Sequence, residues 1–161
     1  MAPQFSAKEI FLIGAISDTH GYLKPEALDA FSGMDLIVHA GDIGRPEILR
    51  ALKKVAPTVA VRGNMDAGRW AAKLPRDEII EIGSLNVLVS HDLDRLTIEP
   101  DCAGIAAVIS GHTHRPQVRE KNNVLYLNPG SASQPRYGTP ASVAILRIRQ
   151  GSLSAEFIEL T

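Results

Sequence analysis

Short β-branched apolar runs, each leading into a polar residue of metal-ligand type, recur along the chain. Ile10–Ser17 leads into Asp18-Thr19-His20. Leu36-Ile37-Val38 passes through His39-Ala40-Gly41 to Asp42. Val59-Ala60-Val61 passes through Arg62-Gly63 to Asn64, and Val87–Ser90 leads into His91. Ala107–Ser110 passes through Gly111 to His112-Thr113-His114. Runs this short and this apolar predict strands buried on both faces.

Two helices are expected between the first three strands. Pro25-Glu26 opens one, with Gly33 beyond its end. Pro46-Glu47 opens the next. Its apolar face is Ile48, Leu49, Leu52 and Val55, and Pro57 lies past its end. Such alternation implies a parallel sheet. The second half reads differently. Glu78–Ile82 and Leu85–Ser90 flank Gly83-Ser84 as a hairpin. Val118 to Leu127 turns at Asn122-Asn123, and Val143–Ile148 with Leu153–Leu160 flanks Gln150-Gly151-Ser152. Between Leu93 and Cys102 the helical signal is weak, because Pro100 interrupts it. The fold class is therefore α/β, with two packed sheets flanked by helices.

A chain of 161 residues is expected to form one domain, spanning residues 1–161. Lys+Arg 17 against Asp+Glu 18 leaves a net charge of −1, without the basic excess of a binder of long nucleic acid or of a membrane surface. A single cysteine, Cys102, has no internal disulfide partner and suits a reducing compartment. Ile10–Ile16 is at the lower length limit for the apolar part of a signal peptide. Cleavage after it would discard Asp18 and His20, so the expected location is cytoplasmic.

In an open α/β sheet, ligands bind beyond the carboxyl ends of the strands. The five strand exits then aim at one crevice. Alternation along a strand places Asp18 with His20, and His112 with His114, on common faces. Four of the five histidines occupy these exits. Carboxylate, imidazole and carboxamide together suit Mn, Fe, Zn, Co or Ni better than an all-oxygen Ca or Mg cage. Asp18, His20, Asp42, Asn64, His91, His112 and His114 are too many for one four-coordinate zinc. They fit two divalent ions about 3.5–4 Å apart with a carboxylate between them. Four positive charges against two aspartates favour an anionic substrate such as a phosphate ester.

These blocks resemble the calcineurin-like metallophosphoesterases, whose signature runs D-x-H, G-D, G-N, a lone His, then G-H-x-H. Asn128-Pro129-Gly130-Ser131 with Pro135-Arg136 is similar to the small prokaryotic phosphodiesterase branch, which has a eukaryotic relative in a retromer scaffold subunit. The resemblance spans essentially the whole chain. It implies a four-layer αββα sandwich of two mixed β-sheets. It also implies a binuclear phosphoesterase, most in keeping with a phosphodiesterase, acting on a small, nucleotide-like ester by in-line attack of a metal-bridging hydroxide. Asp18, His20 and His114 would hold the first metal, Asn64, His91 and His112 the second, and Asp42 would bridge them. Asp42, Asn64 and His112 are the expected catalytic residues. Mn2+ is the first expectation for the metal, with Ni2+, Zn2+, Fe2+ and Co2+ as alternatives.

Two positions depart from the related protein phosphatases and other relatives. Met65 stands where the phosphatases have a general-acid His, and Asp92 stands where many relatives have Gly. Other residues carry plainer readings. His39, inside an apolar run, is expected to be structural, and Cys102 an inert small hydrophobe. Asp66 would orient Asn64 or form a local turn. Arg62, Arg136 and Tyr22 are solvated or structural unless they meet phosphate, and Trp70 with Met65 lines the mouth or the core. The competing functional class is a non-catalytic scaffold on the same fold. The strand edges of the antiparallel half leave a homo-oligomer open.

Overall fold

A computed structural model describes residues 2–161. The strands are β1 Gln4–Phe5, β2 Ile10–Ile16, β3 Leu36–His39, β4 Thr58–Ala60, β5 Asp77–Ile82, β6 Leu85–Ser90, β7 Ala107–Ile109, β8 Pro116–Lys121, β9 Val124–Pro129, β10 Ser142–Arg149 and β11 Ser152–Glu159. The helices are α1 Pro25–Ala30, α2 Pro46–Lys53 and α3 Arg69–Ala72, and Leu93–Arg95 forms one 3-10 turn.

Two mixed sheets result. One has the order β1-β5-β6-β7-β9-β8 and the other β11-β10-β2-β3-β4. β2, β3 and β4 are parallel to one another, as are β6, β7 and β9. The three expected hairpins, β5–β6, β8–β9 and β10–β11, all pair antiparallel. Their turns use residues that tolerate positive φ. Asn122 and Asn123 take φ 52° and 62° at the β8–β9 turn.

Alternation fixes which face each residue serves. Ile13, Ala15, Leu36, Val38 and Leu146 meet Ile80, Val87, Val89, Ile109 and Leu127 between the sheets. Ile16, Ile37 and Val143 point the other way, onto Ala27, Phe31, Ile48, Leu49 and Leu52 of the helical layer. β2 and β3 are thus buried on both faces, as their apolar runs predict. Truncating fully buried Leu36 to Ala would cost about 2–5 kcal/mol. β4 is only half-buried along its length, because it is the sheet's edge.

The fourth layer is thinner than expected. Leu88, Val108, Val124 and Ile105 are covered by Leu93, Leu96 and Tyr126, with the 3-10 turn in place of an α-helix. Cys102 lies exposed on this covering segment, so it is not the packed hydrophobe its residue type suggested. The parallel strands of both sheets deliver their carboxyl ends to one edge of the sandwich, where the polar residues collect.

Candidate metal centre

The structure brings all seven candidate ligands to that edge. Strand alternation, however, is not what aligns them. β2 stops at Ile16 and β7 at Ile109, before the ligands begin. Asp18, His20, Asp42, His112 and His114 all adopt left-handed backbone, with φ of 54°, 46°, 54°, 74° and 61°. That region is rare for non-glycine residues and is typical of functional sites. Paired loops hold it in place. Asp18 N–H donates to Gly41 O at 3.0 Å, His20 N–H to Asp42 O at 2.9 Å and Gly21 N–H to Ile43 O at 2.8 Å.

Two glycines permit the close approach. A Cβ on Gly63 would collide with the backbone N and Oδ1 of Asp42. A Cβ on Gly111 would collide with Ser17 Oγ and stand 2.7 Å from Asp18 Oδ2.

Each aspartate is anchored by one oxygen and presents the other. Asp18 Oδ2 accepts from Ser17 Oγ at 2.7 Å and His112 N–H at 3.0 Å. Asp42 Oδ1 accepts from Met65 N–H at 2.8 Å. The free atom Asp18 Oδ1 lies 3.3 Å from His114 Nε2 and 3.7 Å from His20 Nε2. Asp42 Oδ2 lies 3.4 Å from His91 Nε2 and 3.9 Å from His20 Nε2. Burial alone would raise the Asp18 carboxyl. Contacts to His114 and His20, with the field of His91, outweigh burial and hold it well below the usual carboxylate range. Asp42 is lowered too, by His91 and the Met65 amide against its own burial.

The imidazoles are oriented from behind. His114 Nδ1 donates to Gln134 O at 2.6 Å, and His91 Nδ1 donates to Ala40 O at 2.8 Å. A carbonyl only accepts, so both rings carry their proton on Nδ1 and, when neutral, turn a bare Nε2 inward. Back-bonding of this kind is typical of metal-ligating histidines. His91 Nε2 faces Asn64 Oδ1 at 2.9 Å, and His112 Nδ1 approaches the same oxygen at 3.1 Å.

Acceptors therefore converge on acceptors. Among the described residues, Asp18 Oδ1 is the buried side-chain atom left without a hydrogen-bond partner. A buried anionic oxygen with no donor costs several kcal/mol unless a cation meets it. Asp18, His20 and His114 form one group with ligand atoms within 4.8 Å of one another, and Asp18, Asp42 and His91 form a second. The donor set fits divalent metal, with Asp18 reaching both groups.

The remaining residues support the loops. His39 is fully buried and bland, as expected. Gly41 N–H donates to its Nδ1 at 3.1 Å, and its Nε2 meets Thr19 Oγ1 at 3.0 Å, which itself donates to Ile43 O. Burial pushes its pKa down to about 3. Asp66 closes the local turn around Asn64, its N–H donating to Gly63 O at 3.2 Å. Its carboxylate accepts from Gly44 N–H and Gly63 N–H, both at 2.9 Å, joining the loops after β3 and β4. Asn128 Nδ2 donates to Gly111 O at 2.9 Å, bracing the segment that carries His112 and His114. Ser131 Oγ donates to Asp18 O at 2.7 Å, and Ser133 Oγ to Thr19 O at 2.6 Å. Ser133 was not singled out from the sequence, since a serine in a Ser-Ala-Ser stretch carries no distinguishing signal. Met65 and Tyr22 are exposed, whereas Trp70 packs against the helical layer.

The cluster is a candidate divalent-metal site, and comparison with known proteins shows a phosphoesterase family. The calcineurin-like phosphoesterase superfamily domain matches residues 11–151, and the chain belongs to that superfamily. Its members use divalent metals and act on small phosphate esters. A probable metallophosphoesterase of Methanothermobacter thermautotrophicus is 42% identical over 159 residues, covering 91% of each chain. A phosphodiesterase of Methanocaldococcus jannaschii is 28% identical, covering 80% of this chain and 88% of its own. The structure of Vacuolar Protein Sorting 29 from Cryptosporidium parvum shares the fold at TM-score 0.75 and 18% identity, covering 96% of this chain and 100% of its own. Among the described residues no helix is long and apolar enough to cross a membrane.

Proposed function

We propose that this protein is a binuclear-metal phosphodiesterase acting on a small, nucleotide-like ester. Asp18, His20 and His114 hold one ion, Asn64, His91 and His112 hold the other, and Asp42 lies between them. The observation that carries the reading is the buried, unpartnered Asp18 Oδ1 facing the bare Nε2 of His114 at 3.3 Å. Retention of every ligand position favours catalysis over a scaffold role.

When bound, the two ions supply Lewis acidity toward the phosphoryl oxygens and bring the pKa of water toward neutrality. The residues of the chain supply placement. Asp42 presents Oδ2 to His20 on one side and His91 on the other. Its other oxygen is pinned by the Met65 amide, so the carboxylate cannot rotate away. His112, with its side chain 42% exposed, stands at the mouth where an ester enters. Asn64, His112 and Asp42 thus border the space in which phosphorus is attacked. Met65 offers no proton to a departing oxygen.

Mn2+ is the preferred ion for this mixed oxygen and nitrogen set, with Ni2+, Zn2+, Fe2+ and Co2+ as alternatives. The exposed lone thiol of Cys102 suits a reducing cytoplasm. Metal counting and turnover of bis(p-nitrophenyl) phosphate with Mn, Ni, Co, Zn and Mg test the reading. Two ions per chain and metal-dependent turnover are expected. No bound transition metal and no metal-stimulated turnover would overturn it.

A further inference from the structure

A cavity of about 190 Å3 opens from Asn64 and His91. Its walls carry Arg62, Arg76 and Arg95 with Asp77 and Asp92. The three arginines come from separate segments: Arg62 follows β4, Arg76 precedes β5, and Arg95 closes the 3-10 turn. Arg95 Nε lies 3.7 Å from Asp92 Oδ2, with its side chain 73% exposed. Exposed pairs of that kind bind weakly. Among the described residues no carboxylate lies within 4.0 Å of the guanidinium of Arg62 or Arg76. Three cations against two anions leave this wall at net +1 before any metal is bound.

A second cavity, of about 140 Å3 beside His112, shares Asp92 with the first and adds Asp94 and Arg119, a net charge of −1. There Arg119 already lies over the Tyr126 ring, 5.0 Å from its centroid. Of the two cavities that a diester arm could enter from the metal centre, only the arginine-lined one favours negative charge.

We propose that the arginine-lined cavity is an anion subsite, which makes the substrate a phosphodiester carrying a second phosphate on one arm. This rests on the phosphodiesterase reading above. Guanidinium groups recognise phosphate through paired N–H donors and do not lose their charge at physiological pH. The volume exceeds a single water's share of about 30 Å3 several-fold, enough for a phosphoryl group.

Two chromogenic esters test this directly. Thymidine 5′-(p-nitrophenyl phosphate) and its 3′-phosphorylated counterpart differ only in the second phosphate. The metal-loaded protein is expected to prefer the 3′-phosphorylated ester by at least 10-fold in kcat/KM. Arg76→Gln with Arg95→Gln, both exposed positions, should reduce that ratio at least 5-fold. Arg147→Gln, at the far end of the β10–β11 hairpin, should leave it unchanged. A ratio near one, with both esters hydrolysed, overturns the subsite and leaves the phosphodiesterase reading intact. Hydrolysis of neither ester defeats that reading instead. Calorimetric titration of inorganic pyrophosphate into the full chain, stripped of metal with a chelator, then decides the subsite alone. Binding that weakens at least 10-fold in the double variant supports it, and absence of binding, or equal binding in the two proteins, overturns it.

Discussion

Asp18 Oδ1 and His114 Nε2 stand 3.3 Å apart, and in the neutral ring no proton lies between them, because the one N–H of His114 donates to Gln134 O. Two acceptors held this close repel unless a proton or a metal ion joins them. In the metal-free chain a second proton on the His114 ring, bound below its raised pKa, would do so. The Asp18 contact is the largest cause raising the His114 pKa above its ordinary value, and it outweighs burial. His91 is raised as well: burial opposes it, but Asp42 and Asp18 prevail.

Metal must therefore displace protons. Both histidines have raised pKa values, so they stay partly protonated at and somewhat above pH 6.5, where free imidazole is half-titrated. Mn2+ uptake near pH 7 is expected to release protons, and the release should fade as pH climbs past the raised values. Calorimetry in two buffers of different ionisation enthalpy measures this. Activity should fall on acidification for the same reason, reaching its plateau at about pH 8.

Asp42→Asn should be the most damaging single change. It removes one of the two candidate ligand carboxylates while keeping shape, and under the proposed placement would weaken both ion sites together. Loss of one or both ions and at least 100-fold lower turnover are expected, in line with the roughly 10–100-fold typical of supporting residues alone. Elemental analysis checks it; a fully loaded pair of ions in the variant contradicts the placement of Asp42.

Met65→His should restore an acid. The side chain is 67% exposed, and the Asp42 contact uses its backbone N–H, so the replacement leaves the packing alone. General acids contribute about 10²–10⁴-fold for poor leaving groups. The variant should speed alkyl esters more than nitrophenyl ones, giving a shallower dependence of rate on leaving-group pKa. A flat dependence in the parent enzyme would reveal another acid.

His39 should govern acid stability. Its folded pKa of about 3 lies below the ordinary 6.5, so below pH 6.5 the unfolded chain binds the proton first. Stability attributable to this residue is complete above about pH 6.5 and declines by about 1.4 kcal/mol per pH unit as pH falls toward 3. His39→Gln should lower stability at pH 7 by about 1–3 kcal/mol through broken hydrogen bonds. It should also flatten the slope between pH 6 and 4, as read from urea unfolding.

The sequence carried the site further than it carried the reason for the site. The candidate ligands were visible because Asp18, Asp42, His91 and His112 follow runs of buried strand residues, and Asn64 follows the half-buried edge strand β4. What was not visible was the left-handed backbone at five of the ligands, since that conformation depends on amides donated between loops distant in sequence. β1 has two residues and α3 has four, both too short for periodicity to register. The weak signal after Leu93 breaks into a 3-10 turn at Leu93–Arg95 and a separate turn over residues 99–105, because Pro100 interrupts a longer helix. Asp66 reaches Gly44 N–H and Ser133 reaches Thr19 O, contacts between loops distant in sequence that no local motif encodes.

The ligands are also divided between the sheets. Asp18, His20, Asp42 and Asn64 extend from β2, β3 and β4, whereas His91, His112 and His114 extend from β6 and β7. Each ion would then act as a rivet through the open end of the sandwich, where polar loops replace the apolar seam. Ions at 100 times their dissociation constant tighten the fold by about 2.7 kcal/mol per site, a large share of a typical domain's stability of about 5–15 kcal/mol. Chelation would unlatch that end alone, so the loops around Asp18 and His112 should exchange their amide hydrogens faster while the seam at Leu36 and Ile109 stays protected.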